Sequence, residues 1–173
     1  MIIWLNGTFG AGKTTTSKEL AALLPDSRIF DAERVGEMLT PVLASVKVTD
    51  FQQWPPWRSL VVATATQVLD FVGGTLVVPQ TVLVQEYWQE ISAGLAEAGI
   101  PVRHFVLHAT REELVRRIEG DGGSQWRMEH LDAYEAALPW LAGEAEILDT
   151  TDREPGRIAA MIAALFATAA NID

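Results

Sequence analysis

Apolar residues in this chain fall into short unbroken runs, separated by stretches in which they recur every third or fourth position. Ile2-Ile3-Trp4-Leu5 is the first run, and a strand without polar alternation is one covered on both faces, as in a parallel sheet. Arg28–Phe30, Thr75–Val78, Val102–His108 and Glu146–Asp149 read as further strands. Helical spacing fills the intervals. It predicts helices from about Lys13 to Leu24, Val35 to Leu43 with a kink or stop near Pro41, and Pro56 to Val72. Others follow from about Gln85 to Ala98, from a Thr110 cap to Glu119, from Gln125 to Leu138, and from Glu154 to Ala170.

Strands that alternate with helices along a whole chain make a three-layer α/β/α fold, here a five-stranded parallel sheet with right-handed crossovers. Ligands of such sheets bind beyond the carboxyl ends of the strands. Asn6, Asp31, Pro79, Gln80 and Thr110 should therefore line one crevice.

A length of 173 residues suits one domain with its own core, and the 49% hydrophobic fraction excludes a disordered chain. The net charge of −10 disfavours a nucleic-acid surface, which needs clustered cations, and favours a small acceptor. Lysine is confined to Lys13, Lys18 and Lys47, so arginine supplies most of the positive charge. With no cysteine, neither disulfides nor a thiolate zinc site is expected, and the cytosol is the expected compartment. Met1 to Leu5 reads as a strand rather than a leader. No apolar stretch reaches the roughly 20 residues of a membrane span, so no integral membrane segment is expected, and Ile158–Ala170 reads as a helix packed on the sheet.

Gly7-Thr8-Phe9-Gly10-Ala11-Gly12-Lys13-Thr14 fits the pattern GxxxxGK[ST] in full, between the first strand and the first helix. That context is what the chemistry needs. Glycines let the backbone curl until successive N–H groups point at phosphate oxygens, and the helix N-terminus adds partial positive charge. Lys13 then reaches the β- and γ-phosphates of a nucleoside triphosphate, the Thr14 hydroxyl ligates Mg²⁺, and Thr15 completes the loop's contacts. The expectation is a single P-loop NTPase domain over residues 1–173.

MIIWLNGTFGAGKT, DFQQWPPWRS and TLVVPQTVLVQEYW together resemble the tunicamycin-resistance protein family of P-loop ATP-binding proteins. More distantly, the layout resembles adenylate-kinase-like small-molecule kinases, such as gluconate and shikimate kinases, and chloramphenicol phosphotransferase. The resemblance runs from Met1 to about Glu119. It implies the sheet order 2-3-1-4-5, ATP as nucleotide, and resistance to a nucleoside antibiotic. It also implies that Arg117 packs against adenine and that Arg127, in a lid-like segment at about 119–138, clamps the phosphates. The interruption Glu119–Ser124 is short for a lid, which weakens that clamp.

By the same resemblance an acid at the end of strand two, Asp31, takes the proton of the acceptor hydroxyl or contacts the metal shell. Asp31 is also a good helix cap, with Arg34 beside it as an acceptor contact. Trp54 and Trp57 could stack on a planar ring while Arg58 grips an anionic or carbonyl group; core packing and surface charge are their plainer roles. Strand three ends in Pro79-Gln80 instead of an acid. Metal and base duties then fall on Thr14 and Asp31, and the Gln80 amide and Thr81 hydroxyl are left for a neutral ligand. His104 and His108 lack a third metal ligand and read as core or edge residues, as do Tyr87, Ile91 and Leu95. Two functions stay open: phosphoryl transfer to a small hydroxyl acceptor or antibiotic, and ATP-dependent holding of a drug without change.

Overall fold

The computed structural model of the chain describes residues 1–167. Strands β1 (Ile2–Asn6), β2 (Ser27–Ile29), β3 (Thr75–Pro79), β4 (Val102–His108) and β5 (Glu146–Asp149) form one parallel sheet in the order β2-β3-β1-β4-β5. That is the order 2-3-1-4-5 expected from the resemblance. The helices are α1 (Lys13–Leu23), α2 (Glu33–Val42), α3 (Pro55–Val72), α4 (Gln85–Glu97), α5 (Arg111–Gly120), α6 (Gln125–Glu144) and α7 (Pro155–Ala167), and a 3₁₀ turn at Phe51–Gln53 precedes α3.

β1 is buried at every position, and its pleat sorts the core into two. Ile3 and Leu5 pack with Leu20 of α1, Leu114 of α5 and Ile158 of α7. Ile2 and Trp4 point the other way, onto Val35 of α2, Val61 of α3 and Ile91 of α4. Burying each of these larger side chains contributes about 1.5–3 kcal/mol, which is why the central strand has no polar alternation.

Three local expectations change. Helix α6 runs through Pro139 to Glu144 instead of stopping at Leu138. An internal proline costs about 3 kcal/mol, but ending the helix there would uncover Leu141, which is fully buried. The capping box at Thr110 is half formed: Thr110 Oγ1 accepts from the Glu113 amide at 3.4 Å, while the Glu113 carboxylate turns to Arg116 and Arg117. The expected extension of the last helix to Ala170 lies outside the described residues.

Trp57 belongs to the second core, fully buried, with its indole N–H donating to Ala32 O at 3.0 Å. Trp54 is only 7% exposed. Neither ring is a free stacking platform, because the prolines at the start of α3 turn both onto the sheet. Trp57→Ala should therefore cost about 3–5 kcal/mol of stability, read from chemical denaturation; a loss confined to ligand binding would contradict the core assignment.

Candidate functional site

The chain leaves β1 so close to β4 that a Cβ on Gly7 would stand 2.6 Å from Leu107 O, and Gly7 has φ +132°. Gly12, at φ 88°, is the N-cap of α1. These two positions need glycine. The loop they shape encloses Lys13, whose Nζ donates to Thr8 O at 2.8 Å. Burial lowers the Lys13 pKa to about 8, against the opposing pull of Glu33. Thr8 Oγ1 is buried with no partner. A desolvated ammonium and an unpartnered hydroxyl at a helix N-terminus suit an anion with several acceptor oxygens.

Around the loop lies a cavity of about 540 Å³, to which Thr14, Thr15 and Arg127 also contribute. The Arg127 guanidinium sits 5.7 Å from the Phe9 ring centre. Among the described residues neither Lys13 nor Arg127 is salt-bridged, whereas Arg116 and Arg117 are both held by Glu113. The first pair keeps its charge for a ligand.

Arg117 does other work. It donates to Gly10 O at 3.2 Å, to Thr150 O at 2.6 Å and to Thr151 O at 3.1 Å. It thereby ties the phosphate loop to the turn after β5. On the far side of that tie a second cavity of about 430 Å³ is bounded by Thr16, Thr150, Arg153 and Pro155.

A third cavity, of about 310 Å³, opens beyond Phe9. Phe9, Trp126 and His130 cluster on one side, with Phe9–Trp126 and Trp126–His130 centroids 4.9 and 4.3 Å apart. Phe51 and Tyr87 lie on the wall as well, so Tyr87 is a cavity residue in addition to its core contacts. Glu33, in the first turn of α2, lines both this cavity and the phosphate cavity. Burial, and then Asp31, raise its carboxyl pKa.

Asp31 lines neither cavity. Its Oδ1 accepts from the Glu33 amide at 3.1 Å and its Oδ2 pairs with Arg34 at 3.4 Å. Arg34 is exposed and also binds Glu37. Asp31 thus sits just ahead of α2, whose N-cap is Ala32, and the first residue of that helix, Glu33, is the acid that lines both cavities. Arg58 is corrected too: only 6% exposed, it pairs with Glu90 at 2.5 Å, donates to Gln52 O and lies 4.2 Å from the Tyr87 ring centre. It braces the cavity wall from behind. The Thr81 hydroxyl donates to Gly7 O at 2.6 Å. Gln80 lines the third cavity.

Beneath the crevice Asn6 is fully buried and acts as a strut. Its Oδ1 accepts from the amides of Gly7 and Val82, and its Nδ2 donates to Val82 O and meets His104 Nε2 at 3.3 Å. His104 lies on Trp88 at 3.9 Å between centroids, and burial lowers its pKa to about 4. Its folded pKa is below the ordinary 6.5, so its contribution is full above pH 6.5 and is lost as pH falls toward 4. Melting temperature should drop across that window, and less so in His104→Phe; an identical acid profile in the variant would clear His104 of the effect.

A family model described as an AAA domain matches residues 2–139. The chain belongs to the AAA domain family. No curated protein sequence matches it. Among solved structures, the tunicamycin resistance protein of Deinococcus radiodurans is similar at 28% identity and TM-score 0.78, over 96% of this chain and 95% of that one. A sugar kinase from Janibacter sp. HTCC2649 follows at 19% identity and TM-score 0.70, covering 96% and 94%. Shikimate kinase from Acinetobacter baumannii stands at 18% and TM-score 0.67, covering 99% and 95%. This AAA domain protein therefore has the P-loop kinase-like fold. No helix among its described residues is long and apolar enough to cross a membrane.

Proposed function

We propose that this AAA domain protein is an ATP-dependent phosphotransferase acting on the hydroxyl of a small molecule. One observation carries the reading: Glu33 is shared by the phosphate cavity and the aromatic cavity beside it. ATP would supply the phosphoryl group, with its phosphates on the loop and its adenine in the cavity beside Arg117 and Thr150. Lys13 and Arg127 hold the charge of the phosphates. Glu33 would accept the hydroxyl proton as the acceptor oxygen bonds to the γ-phosphorus and the bond from that phosphorus to the β–γ bridging oxygen breaks, releasing ADP, and its raised pKa suits a base. Among the described residues no group of three or more His, Cys, Asp or Glu could hold a metal. A Mg²⁺ ion would rest on the Thr14 hydroxyl, phosphate oxygens and water, the sparse protein ligation this ion accepts.

The name of the Deinococcus relative makes tunicamycin a first acceptor to try, with a resistance role for this chain as the corresponding biological reading. ADP release should rise on adding the acceptor, and the acceptor's mass should increase by one phosphoryl group. Flat ADP release with every hydroxylated probe would sink the transferase reading. The second reading, ATP-dependent holding of a ligand, draws on Gln80 standing where an acid is absent; it predicts a ligand recovered unchanged.

A further inference from the structure

Within the phosphate loop, Gly7 to Thr14, Phe9 alone has a large apolar side chain. Backbone N–H groups do the binding in such a loop, so an aromatic ring is not needed for its curl. The ring lines both the phosphate cavity and the aromatic cavity and packs in part on the first core.

Across from it, Ser124 caps α6, its Oγ accepting from the Arg127 amide at 3.3 Å. Trp126, Arg127 and His130 therefore fall on the first two turns. His130 lies four and three positions beyond the other two, so the three are neighbours on the helix surface. All of them meet Phe9: the Trp126 and His130 rings stand 4.9 and 5.3 Å from its centre, and the Arg127 guanidinium 5.7 Å. His130 Nδ1 donates to Trp126 O at 2.7 Å, which stiffens that face.

The two cations of the phosphate cavity differ in what holds them. Lys13 Nζ donates to Thr8 O at 2.8 Å, with the Phe9 ring, 5.9 Å away, as a second contact. Among the described residues the Arg127 guanidinium makes neither an ion pair nor a hydrogen bond, so the Phe9 ring is what fixes it. It stands within the roughly 6 Å over which a ring face attracts a cation. A long side chain without such a contact samples many rotamers, and only the fraction aimed at the phosphates binds them.

We propose that Phe9 is a positioning residue whose ring holds the Arg127 guanidinium ready for the phosphates of the nucleotide. The proposal rests on the assignment of Arg127 to the phosphates made above. Because Phe9 also lines the aromatic cavity, the acceptor is left out of the test. A non-hydrolysable ATP analogue is titrated by calorimetry into the unaltered protein, Phe9→Leu, Phe9→Tyr, Arg127→Ala and the double variant Phe9→Leu with Arg127→Ala.

Phe9→Leu keeps an apolar side chain on the first core, so the fold is retained. It should weaken binding by about threefold to tenfold, the size of one cation–π contact. Phe9→Tyr keeps the ring and should bind within about twofold of the unaltered protein. In the Arg127→Ala background, itself weaker, Phe9→Leu should make no further difference, because the cation that the ring positions is gone. A ring that only packed the loop would cost the same in both backgrounds. Equal losses in the two backgrounds, no loss in Phe9→Leu, or Phe9→Tyr as weak as Phe9→Leu would each overturn the proposal. So would Arg127→Ala binding as tightly as the unaltered protein, or no analogue binding at millimolar concentration. Coupled losses without acceptor-dependent ADP release would instead remove the transferase reading and leave this one standing.

Discussion

Glu33→Gln is expected to lower acceptor-dependent turnover by roughly a hundredfold to ten-thousandfold, the usual contribution of a positioned general base. ATP affinity should change little, because the phosphates are held by the loop, Lys13 and Arg127. The amide keeps the shape of the carboxylate but cannot take the hydroxyl proton. Turnover in the unaltered protein should rise with pH through the raised pKa of Glu33, since the base form is the one populated above it. Asp31→Asn is the control. Asparagine keeps an Oδ1 that can accept from the Glu33 amide, so turnover should be nearly unchanged. Losses of the same size in both variants would return the base to Asp31.

Lys13→Met should weaken both ATP binding and turnover by about a hundredfold to a thousandfold, typical of removing one charge stabiliser from a dry site. Unfolding would not explain such a loss. The pKa of Lys13 is lowered to about 8 because the fold desolvates its charge, so removing it should leave the ligand-free protein at least as heat-stable. A melting temperature well below that of the unaltered protein would contradict this. ATP affinity should also be flat below about pH 8 and weaken above it, as the free ammonium loses its proton, by up to about tenfold per pH unit. That profile should vanish in Lys13→Met.

These two predictions differ in how far the sequence led. The phosphate loop is a local object: strand, glycines and helix start lie within Ile2–Thr16, so their order alone places Lys13 and Thr14. The acceptor side is assembled from remote pieces. Phe9, Phe51, Tyr87 and Trp126 come from the loop, the 3₁₀ turn, α4 and α6 and meet only when the sheet has formed. Their separation hides the constellation, although Trp126 and His130, four apart on one helix, carried a faint signal.

The acid shows the same division at closer range. The DAER stretch offers two carboxylates at a strand end. Which one faces the crevice depends on where α2 begins: Asp31 lies before the Ala32 N-cap and accepts from the Glu33 amide, and Glu33, the first residue of the helix, lines both cavities. Arg58 and Trp57 look exposed in a proline-rich segment, yet α3 starts at Pro55 and buries both.

By itself, the sequence determined the alternation of buried strands with helices, the phosphate loop and the absence of an acid at the tip of β3, because each follows from neighbouring residues. The tertiary structure decided which acid lines the cavity around the loop, which arginines are held in ion pairs, and that Gln80 keeps one unpaired oxygen. Those depend on burial and on partners many positions away, and only the packed sheet and helices supply them.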